Sequence, residues 1–275
     1  MINGGVKFFK QAYTLFKNGA MATASSNDAA AKYILSTNRY TEWTSIGSDD
    51  MTEEEIIIDL DSLRNINRLF LTEFNFKNFS VMYWDGAAYQ NFTNVVGVNG
   101  QTFTGINVTN WAYDAAYFEF DSVSTIRIRI RCQTTQIADA QKFLCSVLAT
   151  EEIGTFKGFP RVDPKTDNNE IKTKTLGGKA LVSKGFQTVI IKVNFKTHPF
   201  QEDNDLLEYL FNSVDPYLIY PCGGRTGENY FKISQKIWKL SDVFNVQATG
   251  DLDSDFEKGV YLLGVNKNIT FEEHI

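Results

Sequence analysis

The sequence predicts a mostly β protein: a β-sandwich in the first half, then a second β-rich domain that carries one α-helix. Three observations predict it. Apolar residues alternate with period two in short runs from residue 56 onward. Gly, Asn and Asp turn residues separate these runs, the spacing expected of a sandwich rather than of βαβ units. All five prolines lie beyond residue 159, which sets the two halves apart.

Residues 7–18 leave two readings open. Phe9, Ala12, Tyr13 and Phe16 fall on one face of a short helix that Gly19 would stop, and the same stretch reads as a strand or packed N-terminal arm. Strands follow at Glu55–Leu60, Arg68–Thr72 and Phe79–Trp84. The last is closed by Asp85-Gly86 and returns through Tyr89 and Phe92, a hairpin signal. Tyr117–Asp121 is another strand. Thr125–Arg131 then alternates strictly, with Ile126, Ile128 and Ile130 on one face and Arg127, Arg129 and Arg131 on the other. Such an arginine face could hold an anion, but more often it is solvated or paired with acids across the sheet.

The stretch Lys157–Asn169 collects two prolines, a glycine and charges, a loop or linker composition, and puts a domain boundary near residue 150. Beyond it, Thr188–Phe195 reads as a strand. Gln201–Phe211 reads as a helix, with acids in its first turn and Leu206, Leu207, Leu210 and Phe211 on one face; Pro216 ends it. Tyr217–Tyr220, Tyr230–Leu240, Val243–Ala248 and Val260–Val265 read as further strands. Leu176-Gly177-Gly178-Lys179 and the glycines after Cys222 read as turns or hairpin loops, since neither carries a phosphate-loop signature.

Composition narrows the chemistry. The 275 residues include two histidines and three cysteines, so a His-rich metal centre cannot be assembled and no C-x₂-C pair exists. His198, at a strand end before proline, and His274 suggest no nucleophilic triad, and no carboxylate pair stands out, so the chain is expected not to be an enzyme. A net charge of −6 argues against nucleic acid as partner. No apolar run reaches the roughly 20 residues of a membrane span. Lys10, Gln11 and Lys17 interrupt any signal-like apolar region, which points to folding in the cytoplasm. Aromatics make up 14% of the chain, enough to fill two cores and leave rings for interfaces or for a ligand.

An ordered set of short matches over residues 23–135 resembles the discoidin, or coagulation-factor C-type, galactose-binding-like family. They are Ala24-Ser25-Ser26, the loop Asn38–Tyr40 followed by Thr41-Glu42-Trp43-Thr44-Ser45, the strand Ile56–Leu60 ending in Asp-Leu, the hairpin Phe79–Gly86, and the closing strands Tyr117–Ile130. The resemblance implies a jelly-roll sandwich over 23–150, after an arm of residues 1–22, that binds a glycan or lipid headgroup with loops at one end. Its ligand loops would be Asn38–Glu42 and Phe74–Asn78, offering Arg39, Tyr40, Glu42, Asn75, Phe76 and Lys77. Trp111 and Tyr113 form a second aromatic loop, which either contacts ligand or packs the sandwich end, and Trp43 is expected in the core. Some family members hold a structural calcium near the start of the domain. Asp49, Asp50 and Glu53 lie close by, but their spacing defines no coordination sphere; no cofactor is assigned and the metal question stays open.

Within the second domain, residues 151–275, the stretch from about 150 to 240 resembles phage-tail-type structural proteins, through Glu151–Pro160, a linker at the junction, the strand Thr188–Phe195, the acidic helix and Asp215–Pro221. That resemblance implies a structural component of a phage tail or tail-like particle, assembled in the host cytoplasm and located in the virion. Its partners would be copies of itself in a ring, other tail or baseplate proteins, and a host-surface glycan held by the first domain. The alternative is a free or cell-surface lectin-like protein with the second domain as stalk.

Overall fold

The computed structural model describes residues 5–37, 40–156, 161–174, 180–195, 201–223, 239–249 and 267–273. The mostly β class is borne out. Ten strands form the first sheet system: β2 (Met21–Ala24), β3 (Trp43–Thr44), β4 (Glu54–Phe74), β5 (Phe79–Trp84), β6 (Tyr89–Asn91), β7 (Val95–Val96), β8 (Thr102–Phe103), β9 (Ile106–Val108), β10 (Ala115–Cys132) and β11 (Phe143–Thr150). Its main path runs β3-β11-β4-β10-β5-β6. The second sheet contains β1 (Lys7–Lys10), β12 (Glu152–Thr155), β13 (Arg161–Lys174), β14 (Ala180–Phe195), β15 (Tyr217–Tyr220), β16 (Phe244–Thr249) and β17 (Lys267–Glu273), in the order β12-β1-β15-β16-β17-β14-β13. Pairing is antiparallel in both sheets. The short α1 (Asp28–Ala31) and the helix α2 (Gln201–Asn212) complete the elements.

A straight strand as long as the 21-residue β4 would span about 70 Å. Instead β4 and β10 bend together, and the bend is written in their register: the ladder slips between Glu119 and Val123 and again between Thr125 and Arg127. Each long strand therefore contributes to both layers of the sandwich, and its two ends return to the same place. Past Phe74 and past Cys132 the chain meets itself, through a Phe76–Thr135 bridge and a Lys77 N–H bond to the Thr134 carbonyl at 2.8 Å. These returning ends create one loop-rich end of the sandwich.

The same slip corrects the isoleucine face. Ile128 and Ile130 are fully buried, but Ile126 sits in the bulge and is 40% exposed. The arginines take the paired reading: Arg127 bonds Asp59, Arg131 lies 2.9 Å from Glu55, and Arg129 covers the Tyr89 ring at 3.8 Å. The Asp85-Gly86 hairpin forms between β5 and β6 as expected.

At the start of the chain the strand reading holds and the helix does not. β1 lies between β12 and β15, and backbone pairing on both edges outweighs the helical pattern, leaving only a 3-10 turn at Phe16–Asn18. Its alternation sends neighbouring rings to different places. Phe8 meets Phe156, Tyr217 and Phe271, while Phe9 meets Phe70 and Tyr117, which in turn contact Tyr220. Lys7, 4% exposed, donates to Glu119 at 2.6 Å, and Arg68 bonds Glu152 beside it. Burial alone would push the Glu119 carboxyl up, but the Lys7 ammonium, its hydrogen bond, Arg68 and the Tyr117 hydroxyl together pull it below the ordinary value.

Two linker expectations are also corrected. Residues 152–155 are a strand, and Gly154 is bare because α2 lays Leu206 there: a Cβ would stand 3.0 Å from the Leu206 methyl. Residues 161–174 are a strand too. Pro164 is tolerated because β13 is the sheet edge, where one backbone side needs no donor. The helix and the strands at 188–195, 217–220 and 244–249 appear as expected, while 224–238 and 250–266, holding two predicted strands, lie outside the described residues.

Candidate functional site

The loop end gathers residues 40–52, 73–78, 109–114 and 133–142. Asn75 ties two of these stretches together: its side-chain N–H donates to the Gln141 carbonyl at 2.7 Å and its oxygen accepts from Phe143 N–H at 3.0 Å. Gln136 donates to the Tyr113 carbonyl at 2.8 Å, and Trp111 N–H to the Lys77 carbonyl at 2.9 Å. Asn110 adopts φ 57°, a left-handed conformation that asparagine tolerates, and its N–H reaches the Asn78 side chain at 3.0 Å.

The sequence-predicted site residues divide by burial. Phe76 and Trp111 are in the core, Phe76 against Phe74 and Phe79, Trp111 against Phe79 and Phe118 with its indole N–H on the Ala115 carbonyl. Asn75 has both ends of its amide engaged in loop contacts. Tyr40, 98% exposed, and Tyr113, 39% exposed, present rings to solvent, and Glu42 and Lys77 are exposed as well. Tyr113 is propped on Trp111 at 5.4 Å between ring centroids. Arg39 lies outside the described residues, as do His198 and His274. Trp43 is fully buried, as expected.

Sequence reasoning missed three contributors. Glu73 ends β4 with φ 51°, a conformation glutamate rarely takes. Its carboxylate and that of Glu42 flank the Cys145 thiol, with Glu42 Oε2 at 3.8 Å. Burial first, and then the two carboxylates, push that thiol up to about 12, so it stays protonated and unreactive. Ile137, 77% exposed, tips the 133–142 loop. Lys142, only 2% exposed, reaches with its ammonium to the Asp49 carbonyl at 2.8 Å. A ten-residue polar stretch between two strands was the only available signal for these last two.

The acidic loop does not fit a calcium ion, which takes six to eight oxygens. Both Asp49 carboxylate oxygens cap the turn, one to Met51 N–H at 2.7 Å and one to the Thr52 hydroxyl at 3.1 Å. Asp50 Oδ1 accepts from both the N–H and the hydroxyl of Thr135, and Asp139 Oδ1 from Asp50 N–H. Glu53 faces Arg131 at 3.6 Å. The Asp49 carbonyl already accepts from the Lys142 ammonium at 2.8 Å and from Thr52 N–H at 3.3 Å. Among the described residues no group of three or more His, Cys, Asp and Glu is arranged to hold a metal.

No family model matches the sequence, and no curated relative matches it. Solved structures similar to part of the chain include chitosan-binding module 1 of a chitosanase/glucanase from Paenibacillus sp. IK-5 (15% identity, 51% of this chain and 98% of that one, TM-score 0.39). The family 32 carbohydrate-binding module of C. perfringens NanJ, in complex with galactose, is 11% identical over 53% of this chain and 99% of its own (TM-score 0.39). A pectin-binding module is 17% identical over 46% and 87% (TM-score 0.35).

Proposed function

We propose that the chain is a non-enzymatic carbohydrate-binding protein and that the loop end of its sandwich is the binding surface. The observation that supports this reading is the presentation of two tyrosine rings, Tyr40 and Tyr113, on the same loop end as the exposed polar side chains of Glu42 and Lys77. Sugars offer an apolar face to a ring and hydroxyls to carboxylate and ammonium groups, so this combination suits them. Titration of a neutral and an amino-sugar oligosaccharide series into the purified protein tests it. Binding should weaken about tenfold in Tyr40→Ala and in Tyr113→Ala, with folding intact. Absence of binding across the series, or binding indifferent to both substitutions, overturns the reading.

For residues 151–275 we infer an assembly role in a tail-like particle, with copies of the chain in a ring and a virion location. The support is the sequence resemblance of this half. A free or cell-surface lectin requires only the loop end and accounts for the same geometry. Sedimentation separates the two: a ring sediments as a closed oligomer at micromolar concentration, and a monomer under those conditions overturns the assembly role.

A further inference from the structure

We propose that Lys142 is a positioning residue that serves as the built-in cation of the loop end, in place of a divalent metal. The inference is independent of which ligand the loops bind. Three acidic side chains, Asp49, Asp50 and Asp139, crowd the meeting of the 45–52 and 133–142 loops. An internal ammonium meets this turn at its backbone. It enters from the residue just before β11, is buried, and ends 2.8 Å from the Asp49 carbonyl.

The backbone around it is fixed on both sides. Ser45 N–H donates to the Lys142 carbonyl at 2.8 Å, Lys142 N–H to the Ser45 hydroxyl at 3.0 Å, and Gln141 to the Ser45 carbonyl at 3.2 Å. The four-carbon stem then has one direction in which to run, beneath the loop and toward the Asp49–Asp50 turn. There the ammonium bonds the Asp49 carbonyl and acts through space on the Asp50 carboxylate. It helps hold the Asp50 carboxyl below its ordinary value, alongside the Thr135 and Asp139 hydrogen bonds that outweigh burial. A calcium ion would do the same job by drawing carbonyl and carboxylate oxygens inward. Here those oxygens are spent on N–H and O–H donors, and the remaining positive charge is supplied by a side chain that cannot dissociate.

Hydrogen exchange on the intact protein, with calcium and with a chelator, tests this. Wild-type exchange in 45–52 and 133–142 should be the same under both conditions. Lys142→Met, which keeps length and removes charge, should speed exchange in these two loops about ten- to a hundredfold, the loss of one charged hydrogen bond, while β4 and β10 stay protected. Lys142→Arg should restore most of the protection, which a role limited to filling space would not require. Calcium-dependent slowing in the wild type overturns the proposal, as does unchanged loop exchange in Lys142→Met. The wild-type calcium comparison decides the matter even if the methionine variant does not fold.

Discussion

The two ends of the sandwich solve the problem of charge in opposite ways. At the end that meets β1, two cations and two carboxylates (Lys7, Arg68, Glu119 and Glu152) are brought together beneath a cluster of fully buried rings. Charges are balanced there, and none of the four side chains is more than 20% exposed. At the loop end, exposed carboxylates outnumber exposed cations among the described residues, two tyrosines stand open, and a buried lysine organises the turn. The contrast teaches that the molecule concentrates cohesion at one end and leaves the other underdetermined, which is the condition for binding something else.

The largest expected effect lies at the cohesive end. Phe70 contacts Phe9, Tyr117 and Tyr220 with centroids 4.8–5.2 Å apart, so Phe70→Ala should cost about 3–5 kcal/mol. Denaturant unfolding would show this; a loss below about 1 kcal/mol would mean the two ends do not differ in cohesion. A smaller effect concerns acid. Because the folded Glu119 carboxyl is held below its ordinary value, its contribution is complete at neutral pH and is lost as pH falls below the ordinary carboxylate range and through the folded value. The urea midpoint of the wild type should therefore drop further between pH 7 and pH 3 than that of Glu119→Gln. Equal drops would remove the carboxylate from the account.

The smallest effect is at the loop end. Glu73 holds a left-handed conformation that asparagine adopts more readily, so Glu73→Asn should raise stability by a few tenths of a kcal/mol, on the order of a degree in Tm. If oligosaccharide binding weakens in the same variant, the strain is tied to recognition; if binding holds while stability rises, Glu73 belongs to neither end's task.

The sequence made the β class, the Asp85-Gly86 hairpin, the α2 helix and the burial of Trp43 legible, because each is local or depends on simple periodicity. It left residues 7–18 open between helix and strand and misread 161–169 as linker, for a shared reason. Both are strands whose conformation is set by partners far along the chain, β12 and β15 in one case and β14 in the other, and proline at an edge looks like proline in a loop. At the candidate site, residue type marked Phe76 and Trp111 as readily as Tyr40 and Tyr113; only packing separates a ring that builds the floor from one that faces outward. Lys142 could not be found at all, since its meaning comes from a carbonyl 93 positions away.

The place of β1 carries a consequence for biosynthesis. Lys7 pairs with Thr155 on one edge and with Tyr220 on the other. During translation the sandwich strands through β11 emerge while the earliest strand still has no partner on either side. β1 must wait, extended and apolar, for a segment made about two hundred residues later, and closing so long a loop is slow relative to local pairing. The earliest strand of the fold is thus among the last to be secured on both edges, and a chain stalled before β15 is made would leave one edge of β1 open to any chaperone or neighbour at hand.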